Sequence, residues 1–129
     1  DKNITPSIRF DTLVQKNDIQ ICKVIKIDTE GAEYTILKSG ENFLNPDKVS
    51  FIVCEMNEFG LEKLGVTQNE LRALMAERGY DTFIFSRDDY IPILVPKSTL
   101  LSSPYVYNVL FTTQEKISQY WPSLLPYQD

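Results

Sequence analysis

Apolar and polar residues follow two periods along this chain. From Val24 to Asp28 the run V-I-K-I-D reads as a strand rich in β-branched residues. From Thr29 to Ser39 the spacing lengthens, and Ala32, Ile36 and Leu37 fall on one side of a predicted helix. Gly40 is a natural stop for that helix, because it tolerates the left-handed conformation that ends helices. Asn45-Pro46-Asp47 reads as a turn. Val49 to Cys54 (V-S-F-I-V-C) is almost continuously apolar and closes on Glu55-Met56-Asn57, a pattern suited to a parallel strand buried on both faces. Thr67-Gln68-Asn69-Glu70 is a capping box, with Val66 and Leu71 placed to staple across it. The helix it opens carries Leu71, Leu74, Met75 and Arg78 on one face and ends at Gly79. Tyr80 to Phe85 is a short strand, and Val106 to Thr112 is the last one.

The remaining segments are less regular. Ile4 to Phe10 reads as extended, with Pro6 weakening its start. Asp11 to Lys16 is a short predicted helix with Asp11 as its cap and Leu13 and Val14 inward. Ser86 to Pro104 is a long connection carrying Pro92, Pro96 and Pro104. Its stretch from Tyr90 to Pro96 is either a substrate or partner surface or a loop folded over the sheet edge. A short helix begins near Thr113, and the tail from Tyr120 is aromatic and rich in proline. Tyr105, Tyr107, Tyr120, Trp121 and Tyr127 read as core and edge packing rather than a base-stacking platform.

Strands alternating with helices give an α/β class with a mostly parallel open sheet, as one domain over residues 1–129. The last two strands lack a helix between them. Parallel neighbours need a crossover of about a dozen residues, usually helical. Prolines oppose a helix here, so the last strand is expected antiparallel and inserted beside V-S-F-I-V-C.

Composition narrows the function classes. Hydrophobic residues make up 43% and charged residues 24%, which excludes a disordered chain. The net charge is -5 and no basic face is visible, so neither nucleic acid nor an anionic membrane is an expected partner. No apolar run reaches spanning length and no signal peptide is visible, which suits a cytoplasmic protein. Cys22 and Cys54 form no CxxC pair, so a reduced setting is expected, although their number leaves a disulfide open. The chain holds no histidine. Ser-His-Asp and Cys-His catalysis and histidine zinc sites are therefore excluded. A general base must be Asp, Glu, Lys, Tyr or Cys.

Carboxylates at strand ends are the candidate chemistry. Asp28 stands at the carboxyl end of a strand, where open α/β sheets bind ligands, or else it accepts hydrogen bonds from the next helix. Glu30 and Glu33 fall in a first helical turn, where capping is the default and a paired-carboxylate site the alternative. Gly31 allows close approach of backbone, by a ligand or by a neighbouring strand. Glu55 and Asn57 follow the next strand. If the two strands are neighbours, Asp28, Glu55 and Asn57 offer an oxygen-lined site of the kind that takes a hard cation.

Four stretches resemble the FkbM family of S-adenosylmethionine-dependent methyltransferases: Phe10-Asp11-Thr12-Leu13, Ile25 to Glu33 continued by Ile36 to Gly40, Phe51-Ile52-Val53-Cys54-Glu55, and Arg78-Gly79-Tyr80. The most specific of them is K-I-D-T-E-G-A-E, Lys26 to Glu33. The resemblance implies the C-terminal half of a Rossmann-like methyltransferase, with strands in the order 4-5-7-6 and the seventh antiparallel. It implies methyl transfer to a hydroxyl on a sugar or other secondary metabolite, a small-molecule acceptor. Asp28 is then the general base or acceptor-orienting group, Glu30 supports it and Glu55 lines the same cleft. Asp28 and Gly31 border the cofactor, and Glu33 and Asn57 belong to the cleft. The family pattern requires no metal, and none is assigned.

One departure stands beside these matches. Gly31, Gly40, Gly60, Gly65 and Gly79 are the only glycines, and no two are spaced as a GxG loop. The chain, which lacks an initiator methionine, is therefore expected to be a piece missing the cofactor-binding half, with weak or absent binding of the methyl donor. The alternative is an inactive α/β fragment or partner-binding module. Either way the open edge of its first strong strand invites a second copy.

Overall fold

A computed structural model describes residues 8–29, 31–86, 88 and 91–121. The elements in chain order are α1 (Phe10–Lys16), β1 (Cys22–Ile27), α2 (Glu33–Lys38), β2 (Val49–Met56), α3 (Glu58–Lys63), α4 (Gln68–Glu77), β3 (Asp81–Phe85), β4 (Pro92–Val95), β5 (Tyr107–Thr112) and α5 (Gln114–Tyr120). Five strands form one open mixed sheet in the order β1-β2-β5-β3-β4. β5 is the inserted strand: it runs antiparallel to β2 on one side and to β3 on the other. Its neighbours β2 and β3, and β1 beside β2, consequently point the same way.

The expectation of a mostly parallel sheet needs correction. Only β1 and β2 pair in parallel. The other three pairings are antiparallel, because β5 separates β2 from β3 and because β4 returns beside β3 as a hairpin. β4 lies inside the segment read as an irregular connection. Pro92 is tolerated there because it is the first residue of an edge strand, where a missing N–H costs no ladder bond.

Four helices cover one face of the sheet. Val14 of α1, Leu37 of α2, Leu61 of α3 and Leu71 and Met75 of α4 pack with Ile52, Cys54, Met56, Val109 and Phe111 in the main core. The opposite face carries a smaller cluster of Phe51, Phe83 and Leu110, closed by Ile117 and Trp121 at α5. Phe51 meets Trp121 edge-on with ring centroids 5.5 Å apart, a favoured aromatic geometry. α4 is capped as its box predicts, Thr67 Oγ1 accepting from the Glu70 amide at 3.0 Å. Arg78 closes α2 from outside: its guanidinium donates to the carbonyls of Leu37 and Lys38.

Three further expectations are revised. Arg9, not Asp11, precedes α1 as its N-cap. Asp11 is buried instead, and its carboxylate accepts from the amides of Asn42 and Phe43 at 3.0 and 3.2 Å, fixing the turn after α2. α2 begins at Glu33 rather than Thr29, because the Glu33 carboxylate folds back on the preceding loop. α3, between Asn57 and Thr67, was not read from sequence at all. The extended segment expected from Ile4 lies mostly outside the described residues.

Candidate active site

The carboxyl ends of β1, β2 and β3 form one rim of the sheet. Ile27 and Cys54 are register partners, as are Cys54 and Val109, and Val109 and Ile84. One step further along each strand, Asp28, Glu55, Asn108 and Phe85 make a row across the rim. Glu55 and Asn108 are paired directly. With strands roughly 4.8 Å apart, the row from Asp28 to Asn108 spans on the order of 10 Å. Two carboxylates and a neutral amide thus sit side by side on adjacent strands, next to the Phe85 ring.

Asp28 is exposed and borders a depression of about 400 Å³ with Phe10, Ile25, Lys26, Thr29 and Ile36. The loop that carries it is built from within by Glu33. That carboxylate is buried, accepts from the Thr29 amide at 3.2 Å and the Gly31 amide at 3.1 Å, and takes the Thr29 hydroxyl as well. The structure therefore places Glu33 behind the cleft wall rather than on its surface. Gly31 is buried at φ 123°, and a Cβ there would stand 2.6 Å from the backbone of Gly60. Its freedom serves a close approach between this loop and α3. Asn57 caps α3, with Oδ1 accepting from the Gly60 amide at 3.0 Å. Glu30 lies outside the described residues. Among the described residues no group of three His, Cys, Asp or Glu side chains converges as a metal would require.

Cys54 is free and fully buried, and Cys22 is free as well. Burial, reinforced by the nearby Glu33 and Glu55 carboxylates, pushes the Cys54 thiol well up. A thiol held protonated in this way is no nucleophile.

A larger cavity, about 610 Å³, opens beside the far end of the row. Its walls come from Val53, the ends of β3 and β5, and the segment Leu101–Ser103. That segment is braced from α4. Asn69 Nδ2 donates to the Leu101 carbonyl at 3.1 Å, and Asn69 Oδ1 accepts from the Leu101 amide at 3.0 Å. Arg72, largely buried, donates to the carbonyls of Thr99 and Pro96 and to Thr82 Oγ1. Desolvation lowers the Arg72 pKa from its ordinary value, but four acceptors surround its fork. Tyr107, in the cavity wall, donates its hydroxyl to Gln68 Oε1. Asn108, Ser102 and Ser103 were not singled out from sequence. The one signal was Asn108, an amide inside the apolar run V-Y-N-V-L.

The family model described as the methyltransferase FkbM domain matches residues 2–82. The chain belongs to the FkbM methyltransferase family. No curated protein and no solved structure matches it. The FkbM match takes in β1, the Asp28 loop, β2 and α4, and ends inside β3. Within it, the Asp28 depression fits one side of S-adenosylmethionine: a carboxylate complements the sulfonium charge, and Phe10, Ile25 and Ile36 supply an apolar wall. No helix among the described residues is long and apolar enough to cross a membrane.

Proposed function

We propose that this FkbM domain transfers a methyl group from S-adenosylmethionine to a hydroxyl oxygen of a sugar or other secondary metabolite. The observation that carries the reading is the register row Asp28–Glu55–Asn108 at the carboxyl rim of the sheet. The methyl donor supplies an electrophilic methyl on a positively charged sulfur when bound. Asp28 orients the acceptor hydroxyl and takes its proton as the oxygen attacks. Glu55, one strand further, lines the same cleft and holds the acceptor side in place. Most of the rate enhancement then comes from alignment rather than covalent chemistry.

Asp28→Asn tests the role in the protein that carries this domain. Turnover should fall by roughly 10²-fold or more. The unfolding free energy should stay within about 0.5 kcal/mol, because Asp28 is exposed. Unchanged turnover removes Asp28 from the chemistry.

A second reading, an inactive partner-binding module, draws on β1. Its outer edge has no strand beside it among the described residues, and Val24 is 54% exposed there. Such an edge accepts another strand. Sedimentation velocity separates the two readings. A dimer abolished by Val24→Lys, together with no methyl transfer, favours the module; a monomer that transfers methyl groups eliminates it.

A further inference from the structure

The 610 Å³ cavity lies almost wholly outside the family match: of its lining among the described residues only Val53 falls within residues 2–82. Its size is in the range of small-molecule sites. Both apolar layers of the protein reach the surface in it. Val53 and Phe85 extend the smaller cluster, and Ile84, Leu101 and Tyr107 extend the main core. All five are only half-buried, so the cavity leaves apolar side chain against water that a ligand can cover. Two of the five are aromatic, and a ring meeting another ring gains more than the area it buries. Tyr107 is held through its hydroxyl bond to Gln68, and Asn69 and Arg72 hold the segment leading to Leu101. Walls fixed in advance lower the ordering cost of binding. Two hydroxyls in the lining are set as donors. Ser86 Oγ accepts from the Ile91 amide at 3.0 Å and Ser103 Oγ from the Tyr105 amide at 3.1 Å, which leaves each hydroxyl proton for another oxygen.

We propose that this cavity seats the aromatic ring of a small molecule. The ring packs against Phe85, Tyr107 and the aliphatic wall of Val53, Ile84 and Leu101, and its oxygen substituents accept from Ser86 and Ser103. Naming that molecule the methyl acceptor rests on the transferase reading above; the ring site does not. Asn108 borders the cavity and is paired with Glu55, so the cavity opens beside the row that ends at Asp28.

The test is chemical-shift mapping on the isotopically labelled chain with three matched probes: phenyl, cyclohexyl and methyl β-glucoside. Phenyl glucoside is expected to move the amides of Phe85, Ser86, Ser103 and Asn108 and the methyl groups of Val53, Ile84 and Leu101, with a Kd on the order of 1 mM. Cyclohexyl glucoside, with a ring of similar size but no π system, should bind about threefold more weakly. Methyl glucoside, with no ring, should bind at least about tenfold more weakly. Ser103→Trp fills the cavity from a loop position outside the core and should abolish the phenyl shifts, and Phe85→Leu should weaken them severalfold. Equal affinity for the phenyl and cyclohexyl probes, shifts confined elsewhere, phenyl shifts that survive Ser103→Trp, or no shifts at about 10 mM overturns the proposal. The transferase reading fails separately, through unchanged turnover in Asp28→Asn, and that result leaves the ring site standing.

Discussion

Glu33 shows how a single side chain can shape a reactive loop without touching the cleft. Its buried carboxylate collects two backbone amides and a hydroxyl, which holds Thr29 and Gly31 in position beside Asp28. Glu33→Gln keeps the shape and halves the acceptor capacity. It should lower stability by about 1.5–3 kcal/mol in a urea titration. Gly31→Ala is expected to be worse, at least about 3 kcal/mol, because the added methyl meets Gly60 backbone at 2.6 Å and φ is 123°. The two cysteines should differ in reactivity. Iodoacetamide applied to the folded chain should label Cys22, which is half-buried, and spare Cys54. Mass spectrometry after digestion reads the sites, and equal labelling of both would contradict the burial. At this scale the sequence made Asp28 and Glu55 visible, because each is a carboxylate ending an apolar strand. It hid the work of Glu33, since a capping carboxylate and a loop-building one look alike until the loop's path is known.

α4 acts at the scale of elements as a clamp on a distant segment. Asn69 and Arg72 lie one helical turn apart and both bond to the chain between Pro96 and Leu101. Arg72→Lys keeps a cation and loses the fork, so two carbonyls and a hydroxyl go unanswered. It should cost about 1–3 kcal/mol and speed amide exchange at Leu101 more than at Phe111. Uniform acceleration would mean that Arg72 supports the fold as a whole and not this segment. The elements were unequally legible. α4 announced itself through its capping box, and β2 through its unbroken apolar run. α3 gave little signal: Phe59 is 65% exposed, Gly60 is a poor helix former, and Leu61 is the only large side chain it buries. β4 was masked by Pro92, which is harmless only at an edge that the sequence does not reveal.

Across the whole molecule, the site is a product of register. Asp28, Glu55, Asn108 and Phe85 are far apart in sequence and come level only because three pairings fix their heights. Strand order was readable, since the missing helix before the last strand pointed to a reversed insertion. The position of Asn108 in the row was not, because register across non-consecutive strands depends on pairing rather than on local pattern. The same geometry predicts that removal of Val109 from within β5, which draws Asn108 one place along the strand and onto the other face, disrupts the row more than the fold's helices. Circular dichroism should retain most helical signal while the amide resonances of Glu55 and Asn108 move more than those of α4.

β5 also sets a timetable for the chain's birth. The strand nearest the middle of the sheet is the last of the five to leave the ribosome. Until residues 107–112 emerge, β2 and the β3–β4 hairpin each hold an open flank with nothing to join them. Contacts such as Ile52 with Phe111 bridge long sequence separations, which slows closure. A nascent chain stalled at Pro104 should therefore be sensitive to protease and prone to capture by chaperones, and release of about ten further residues should protect it.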